Sequence, residues 1–163
     1  MSNDINIIVA CGKDGAIGKK DSLIWRIPAD LKRFKTLTMG HPVIMGRKTW
    51  DSLPKKPLPG RRNIVLTRRS DYEAEGAEIV KSIEEALNIT KGESPFIIGG
   101  AEIYNSFMPF ATHLFLTLVE EECPDADAWF HIDFKKDWEE KKSSQSETTT
   151  DGVVFKYIEY QRK

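Results

Sequence analysis

The sequence predicts a single α/β domain with a mainly parallel central sheet, helices on both faces and an antiparallel C-terminal edge. Its 163 residues, 40% of them hydrophobic, suit the length and core content of one ordinary domain. Short apolar segments rich in β-branched residues alternate with helical segments through the first two thirds of the chain, which is typical of a parallel sheet. The last third has strand patterns without intervening helices, and this change predicts antiparallel pairing there.

Each predicted element follows from a local signal. The predicted strands are residues 5–11, 42–45, 63–67, 77–80, 95–98, 113–119, 138–142 and 153–160. The predicted helices are residues 28–39, 47–53, 82–89 and 101–108. Pro28 stands in the first turn of one helix, and Ser82 with Glu85 forms a capping box at another. Three glycines in residues 12–18 predict a mobile loop, and Pro109 is expected to stop the last helix.

Charge and cysteine content exclude several classes of function. The formal net charge is -1, which argues against a nucleic-acid partner and for a small-molecule one. Cys11 and Cys123 are too few and too far apart for a disulfide framework or a zinc site, and the three histidines show no metal-ligand spacing. No run approaches the roughly 20 apolar residues of a membrane span, and no signal peptide is evident. We therefore expect a reduced, cytoplasmic monomer without a metal.

One carboxylate, Asp30, stands near the start of the helix that follows Trp25. At about 100° per residue, one helix face carries Asp30, Leu31, Phe34, Leu37 and Thr38. An acid in a first helical turn commonly complements the helix dipole, and that interpretation is sufficient for Asp30 taken alone. The alternative is that Asp30 binds a protonatable heterocycle. A carboxylate accepts two parallel hydrogen bonds from an amidine-like edge, and apolar walls strengthen them.

Three predicted strand ends carry residues suited to phosphate binding. Residues 98–104 have two glycines between a predicted strand and a predicted helix. Residues 45–49 have two cations and a hydroxyl between another strand and helix, and residues 66–70 have two arginines after a third strand. Each pattern alone also fits a tight turn or a solvated surface. Because ligands of open α/β sheets bind beyond the carboxyl ends of strands, together they predict a dinucleotide site, and the arginines favour NADPH over NADH. The rigid turn of residues 57–61 presents Arg61, either a surface charge or a clamp for a substrate carboxylate.

In this order, the motifs resemble those of dihydrofolate reductase. The matching stretches are residues 17–18, 23–31, 43–50, 57–61 and 98–104, and the similarity covers nearly the whole chain. The resemblance implies one dihydrofolate-reductase-like domain over residues 1–163. It implies NADPH-dependent reduction of 7,8-dihydrofolate to 5,6,7,8-tetrahydrofolate, with hydride transfer to C6 and protonation at N5, in support of one-carbon metabolism. The implied ligands are dihydrofolate and antifolates such as trimethoprim or methotrexate.

The same resemblance implies roles for individual residues. The implied catalytic residues are Asp30, Trp25, Thr117 and Tyr104. The implied substrate-binding residues are Ile8, Asp30, Leu31, Phe34, Lys35, Ser52, Leu53, Arg61 and Thr117. The implied cofactor-binding residues are Ala10, Ile17, Gly18, Asp21, Ser22, Gly46, Arg47, Lys48, Thr49, Leu66, Thr67, Arg68, Lys81, Ile98, Gly99, Gly100, Ala101, Glu102, Ile103 and Tyr104. The Gly99–Gly100 peptide would be cis, and the loop of residues 12–23 would close over the nicotinamide.

Some positions depart from the family pattern. Ile24 stands where proline is common before the cleft tryptophan, and Lys56 stands where arginine is common. Residues 123–130 resemble the family segment that braces the mobile loop, but Ala126 replaces the glycine that often precedes Asp127. We expect Ile24 and Ala126 to change the balance of loop opening and closure, not the activity.

Two rival functions stay open on the sequence. The pyrimidine reductase of riboflavin synthesis shares the fold and the use of NADPH, although the pair of Trp25 and Asp30, with Phe34 and Arg61, favours folate. A non-catalytic nucleotide-binding module would keep the phosphate-binding features and would need neither Asp30 nor Thr117.

Overall fold

The computed structural model describes residues 4–19, 22–23, 25, 27–130 and 134–163. The strands are β1 (Asn6–Gly12), β2 (Ala16–Lys19), β3 (Ser22–Leu23), β4 (Val43–Gly46), β5 (Asn63–Leu66), β6 (Ala77–Val80), β7 (Phe96–Gly99), β8 (His113–Val119), β9 (Ala128–Trp129), β10 (Trp138–Ser143), β11 (Glu147–Thr148) and β12 (Val154–Arg162). The helices are α1 (Pro28–Thr38), α2 (Arg47–Ser52), α3 (Ile83–Ile89), α4 (Ala101–Phe107) and α5 (Phe134–Asp137), with a 3-10 turn at Met108–Phe110.

A large central sheet organises these elements. Its strands lie in the order β10-β12-β8-β1-β7-β4-β5-β6, and β11 pairs with β12. The six strands from β8 to β6 in this order are parallel, whereas β12 runs antiparallel to β8 and to β10. Strands β3, β2 and β9 form a separate antiparallel sheet. The predicted parallel sheet with an antiparallel C-terminal edge is confirmed.

Hydrophobic side chains cover both faces of the central sheet, because successive residues of a strand point to opposite sides. In β1, Ile7 and Val9 pack in one cluster with residues of α3 and α4, whereas Ile8 packs in another with residues of α1 and α2. Phe107 of α4 and Trp50 of α2 are buried in these two layers. Helices therefore lie on both faces, as predicted, and α1 shares its face of the sheet with Ile8.

The observed bounds of the main elements differ from the predicted ones by at most two residues. Pro109 does not end the helical path at once, because Met108–Phe110 continue α4 as a 3-10 turn. The Ser82 hydroxyl accepts a hydrogen bond of 3.0 Å from the backbone N–H of Glu85, as a capping box requires. The Glu85 carboxylate reaches the backbone N–H of Lys81, one residue earlier than that motif predicts.

Residues 12–18, predicted to be a loop, contain a strand in their second half. From Ala16 onward the chain forms β2, which pairs with β3 and β9. The backbone N–H of Phe130 donates a hydrogen bond of 2.8 Å to the carbonyl oxygen of Gly15. Gly15 has φ +90°, and a Cβ there would lie 2.8 Å from the Phe130 carbonyl oxygen, so only glycine fits this contact.

The two cysteines lie in different environments. Cys11 is buried and free, and burial followed by the Asp14 charge raises its pKa to about 12, so it is an unreactive packed thiol. The Cys123 thiol donates a hydrogen bond of 3.2 Å to the Asp125 carboxylate. Among the described residues, no group of three or more acidic, histidine or cysteine side chains could hold a metal ion. No helix among them is long and apolar enough to cross a membrane.

Candidate active site

A gap in the central sheet marks the candidate site. The described pairing of β1 with β7 ends at Ile7↔Ile97, although both strands continue beyond it. Just past this last pair, the Tyr104 hydroxyl donates a hydrogen bond of 2.8 Å to the carbonyl oxygen of Ile8. The carboxyl ends of two adjacent parallel strands therefore separate here, and such a separation is where open α/β sheets bind ligands.

Asp30 extends from the first turn of α1 to the sheet beside this gap. Its carboxylate accepts a hydrogen bond of 2.5 Å from the Thr117 hydroxyl on β8. Thr117 is buried, and its register partner on β1 is Ala10, which lies past the point where β1 leaves β7. Burial raises the pKa of Asp30 above its ordinary value; the Thr117 hydrogen bond and then the Arg33 charge oppose this rise without cancelling it. The contact with the sheet favours a binding role for Asp30 over a purely helix-capping one.

Apolar side chains form the wall next to Asp30. Leu31 is 47% exposed although its side chain is apolar. Phe34 and Leu53 are half-buried and pack against the cluster that contains Ile8. Apolar walls with a few polar groups are typical of ligand clefts, and half-buried Phe34 and Leu53 provide such a wall near one acid. The structure thus brings together the predicted substrate-binding residues of α1, α2 and β1.

Arg61 binds the other end of α1 from the turn before β5. Its Nε donates to the carbonyl oxygen of Pro59 and its Nη1 donates to the Thr38 hydroxyl, both at 3.0 Å. These two bonds fix the plane of the guanidinium, and partial burial lowers its pKa. Lys35 is exposed on the same helix. The hydroxyl of Ser52 donates a bond of 2.8 Å to the backbone of α2, so it is already engaged.

The carboxyl ends of β4, β5 and β7 lie side by side and carry the predicted phosphate-binding residues. Gly46, Leu66 and Gly99 end these three strands. The Gly99–Gly100 peptide is cis, as the resemblance implies, and Gly99 has φ +131°. A Cβ added at Gly99 or at Gly100 would lie 3.4 or 3.7 Å from the Thr49 hydroxyl. The two glycines therefore leave open the space in front of α2.

Cations and hydroxyls surround this edge. Arg47 forms an ion pair of 3.6 Å with Asp51 on the same helix, and the side chains of Arg68 and Lys81 are exposed. The hydroxyl of Thr67 accepts a hydrogen bond of 3.2 Å from the backbone two residues further on, which shapes the turn after β5. The remaining predicted residues of the same strand ends are Lys48, Ile98, Ala101, Glu102 and Ile103.

Comparisons with known proteins agree with this geometry. Residues 4–162 match the family model for dihydrofolate reductase. The chain belongs to the dihydrofolate reductase family. The dihydrofolate reductase of Neisseria gonorrhoeae is 46% identical over 157 residues, 96% of each chain. That of Mycobacterium leprae (strain TN) is 50% identical over 119 residues, 71% of this chain and 72% of its own.

The fold of this family member also matches a solved structure. The dihydrofolate reductase from Enterococcus faecalis, complexed with NADP(H) and RAB-propyl, has a TM-score of 0.89 and 32% sequence identity. The match covers 99% of this chain and 97% of that one. The predicted dihydrofolate-reductase-like fold is therefore confirmed.

The segment that resembles the family's loop brace does contact the glycine loop. Strand β2 pairs with β9, and the carbonyl oxygen of Gly18 accepts a hydrogen bond of 3.0 Å from the backbone N–H of Asp127. Asp14 adds a second link, because its carboxylate accepts a bond of 2.9 Å from the backbone N–H of Cys123. The contact at Asp127 is made by the backbone, so alanine at position 126 is compatible with it.

The structure describes only some of the other residues predicted to act in the glycine loop and just after it. Trp25 is half-buried and packs against Ile27, Val119 and Phe155. The Ile17 side chain is buried in the hydrophobic core. Asp21 and Ile24 lie outside the described residues, as does the side chain of Ser22.

Sequence reasoning missed two charged residues near the site. Asp14 was treated as part of a glycine loop, and only the structure reveals its bond to residue 123, 109 positions away. Arg33 lies three positions after Asp30 on α1, and residues at this spacing are neighbours on a helix surface. That spacing is the signal by which Arg33 could have been found.

Proposed function

We propose that this chain catalyses the NADPH-dependent reduction of 7,8-dihydrofolate to 5,6,7,8-tetrahydrofolate, as a cytoplasmic monomer. The single observation that carries the proposal is the carboxylate of Asp30, bonded to Thr117, beside the gap between β1 and β7. The half-buried acid and its apolar wall suit a ligand with a polar heterocycle. The neighbouring sheet edge, with its glycines and cations, suits a second ligand with phosphates.

The spacing along α1 supports a folate as the substrate. Asp30 lies in the first turn of α1, and Thr38, whose hydroxyl holds Arg61, is the last residue of the helix, eight residues and about 12 Å further along its axis. Asp30 would bind the amino group and ring N–H of the pterin through two charge-assisted hydrogen bonds. The planar fork of Arg61 would bind the α-carboxylate of the glutamate tail. Leu31 and Phe34 would pack on the rings between them.

The residues at the strand ends fit NADPH. The open space in front of Thr49, which a Cβ at Gly99 or Gly100 would fill, lets a diphosphate approach the backbone closely. Arg47 and Thr49 would hold the diphosphate, and Arg68 the 2′-phosphate that distinguishes NADPH from NADH. When bound, NADPH supplies the hydride.

The chain itself contributes binding, orientation and control of protons. Thr117 donates to one oxygen of Asp30, which fixes the carboxylate and favours its ionised form. Ionised Asp30 would stabilise positive charge on the pterin and thereby promote protonation at N5, and Trp25 would order a water near the pterin. The loop braced at Asp127 would close the site during turnover.

The rival pyrimidine reductase is not favoured. Relatives at 44–50% identity are dihydrofolate reductases. The contact between Asp30 and Thr117 also gives the acid a specific partner that a simple nucleotide-binding module does not need.

A spectrophotometric assay tests the proposal directly. Loss of the NADPH absorbance band on mixing with dihydrofolate is expected for the wild-type chain. Asp30→Asn should lose turnover, whereas Asp151→Asn, which neutralises an exposed acid in a distant turn, should keep it. An absence of NADPH consumption at high wild-type concentration contradicts the proposal. Light scattering on an eluting peak tests the monomer, and a dimer mass contradicts it.

A further inference from the structure

One half-buried cation, Arg33, follows Asp30 by three residues on α1. Within the described part of the chain, Nη1 of Arg33 is the one buried side-chain nitrogen or oxygen without a hydrogen-bond partner. The Arg33 side chain is only 18% exposed. Its nearest acid contact is Glu159 on β12, with 3.7 Å between Nη2 and Oε1, which is too long for a hydrogen bond. A buried charge held this loosely costs stability, so its presence suggests another role.

Asp30 and Arg33 contact two neighbouring residues of the central sheet. Thr117 on β8 and Tyr157 on β12 are register partners, so their side chains lie on the same face of the sheet. Thr117 bonds Asp30, and the guanidinium carbon of Arg33 lies 4.1 Å from the centre of the Tyr157 ring. Two neighbouring residues of α1 are thus docked on two neighbouring residues of the sheet. The aromatic face accepts the guanidinium without neutralising its charge.

We propose that Arg33 is a positioning residue for the reaction: its guanidinium, held on the Tyr157 ring, favours the ionised form of Asp30 that binds the pterin. The inference rests on the proposed function, because it assigns to Arg33 a part in preparing Asp30 for substrate. Arg33 touches neither substrate nor cofactor in this scheme. It acts through Asp30 alone.

The groups around Asp30 support this assignment. In the described structure the charged or titratable side chains that interact with it come from three elements: Arg33 on α1, Tyr104 on α4 and Tyr157 on β12. Both tyrosines have raised pKa values, caused first by burial and then by the Asp30 charge, so they stay neutral. Arg33 is therefore the charge among them that favours ionised Asp30. Glu159 competes for the same cation.

Titration of the Asp30 carboxyl by NMR, on the ligand-free protein labelled with ¹³C-aspartate, tests the proposal. The Asp30 signal is assigned by its loss in Asp30→Asn. Arg33→Met removes the charge at similar length and should raise the Asp30 pKa by about half to one unit, because an opposite charge nearby favours ionisation. Arg33→Lys keeps the charge and should titrate closer to wild type. Glu159→Gln frees the cation and should move the Asp30 pKa slightly downward.

Lys32→Met is the matched control, because it removes a cation from the exposed side of the same helix. An unchanged Asp30 pKa in Arg33→Met, or an equal shift in Lys32→Met, would overturn the proposal. Arg33→Gln replaces Arg33→Met if thermal unfolding indicates that the methionine variant is not folded.

Turnover gives a second readout. At saturating NADPH, the acidic limb of the pH profile of kcat/KM for dihydrofolate should move upward in Arg33→Met with the NMR titration, because this profile reports free-enzyme ionisations. A limb that stays in place contradicts the proposal. If the wild-type chain does not reduce dihydrofolate, the proposed function fails while the titration still tests the coupling of Arg33 to Asp30.

Discussion

The Tyr104 hydroxyl lies where β1 and β7 separate, so Tyr104→Phe tests the geometry of the gap. The side chain is buried, and its hydroxyl donates a hydrogen bond of 2.8 Å to the Ile8 carbonyl oxygen. Burial, and then the charge of Asp30, raise the pKa of this phenol far above its ordinary value, so it stays a donor. Phenylalanine keeps the ring volume but leaves a buried carbonyl without this donor.

The expected loss is about 1–3 kcal/mol in the free energy of unfolding, because an acceptor left unpaired in the interior costs its desolvation as well as the bond. In a domain of this length, each kcal/mol lowers Tm by about 2–4 °C. A central value of about 2 kcal/mol therefore predicts a Tm lower by about 4–8 °C.

Urea unfolding followed by circular dichroism measures this loss. Tyr72→Phe is a matched control, because the Tyr72 hydroxyl donates its bond of 2.6 Å to Asp51 at the surface. That substitution should change the free energy of unfolding by less than about 0.5 kcal/mol. Equal losses in the two variants would refute the argument, since the Tyr104 bond would then be worth no more than a surface contact. A fluorescence titration should also show weaker NADPH binding for Tyr104→Phe alone.

Four further changes test the site and the fold. Asp30→Asn should lower kcat/KM for dihydrofolate at least about 100-fold and leave the Kd of NADPH unchanged, because the carboxylate faces only the pterin; equal losses in both would contradict this. Arg61→Ala should raise KM for dihydrofolate about 10- to 100-fold at constant kcat. Arg61→Lys should not restore the wild-type KM, because a lysine ammonium lacks the planar fork that binds a carboxylate through two hydrogen bonds. Arg68→Ala should weaken NADPH more than NADH in a binding titration, and an unchanged preference would assign the 2′-phosphate to another cation. The Arg62 hydrogen bonds lower the pKa of Glu78 in the folded state. Ionised Glu78 therefore adds about 0.5–1 kcal/mol to the free energy of unfolding at pH values above its unfolded-state pKa, and this is lost as the pH falls through its folded-state pKa. Urea unfolding of Glu78→Gln should match that of wild type only at acidic pH.

The order of strands and helices could be predicted because each element carries its own signal. The β-branched run that becomes β1 and the Ser82 cap of α3 depend on residues within a few positions of each other. Strands β2 and β9 have four and two residues, too few for a periodic pattern. They form because Gly15 and Phe130 meet across the fold, and local sequence holds no information on that meeting.

The resemblance implies which residues carry the chemistry, while the contacts between them come from the structure. Asp30 and Thr117 are 87 positions apart, and Tyr104 and Ile8 are 96 apart. The helical wheel placed Asp30 on an apolar face correctly, yet it could not show that the carboxylate bonds to β8. Nor could it separate Arg33 from Lys32, adjacent cations of which the first is half-buried and the second exposed.

The antiparallel edge of the sheet is part of the proposed site and not only of the fold. The sequence predicts a strand over residues 153–160 and assigns no functional residue to it. The register of β12 with β8 sets Tyr157 beside Thr117, and that pair fixes the positions of Arg33 and Asp30 on the helix above. The carboxylate therefore depends on three elements, of which only α1 and β8 were predicted to contribute. Tyr157→Leu keeps the face apolar and removes the ring under the guanidinium, so a substitution on β12 should alter the ionisation of Asp30 without touching either ligand.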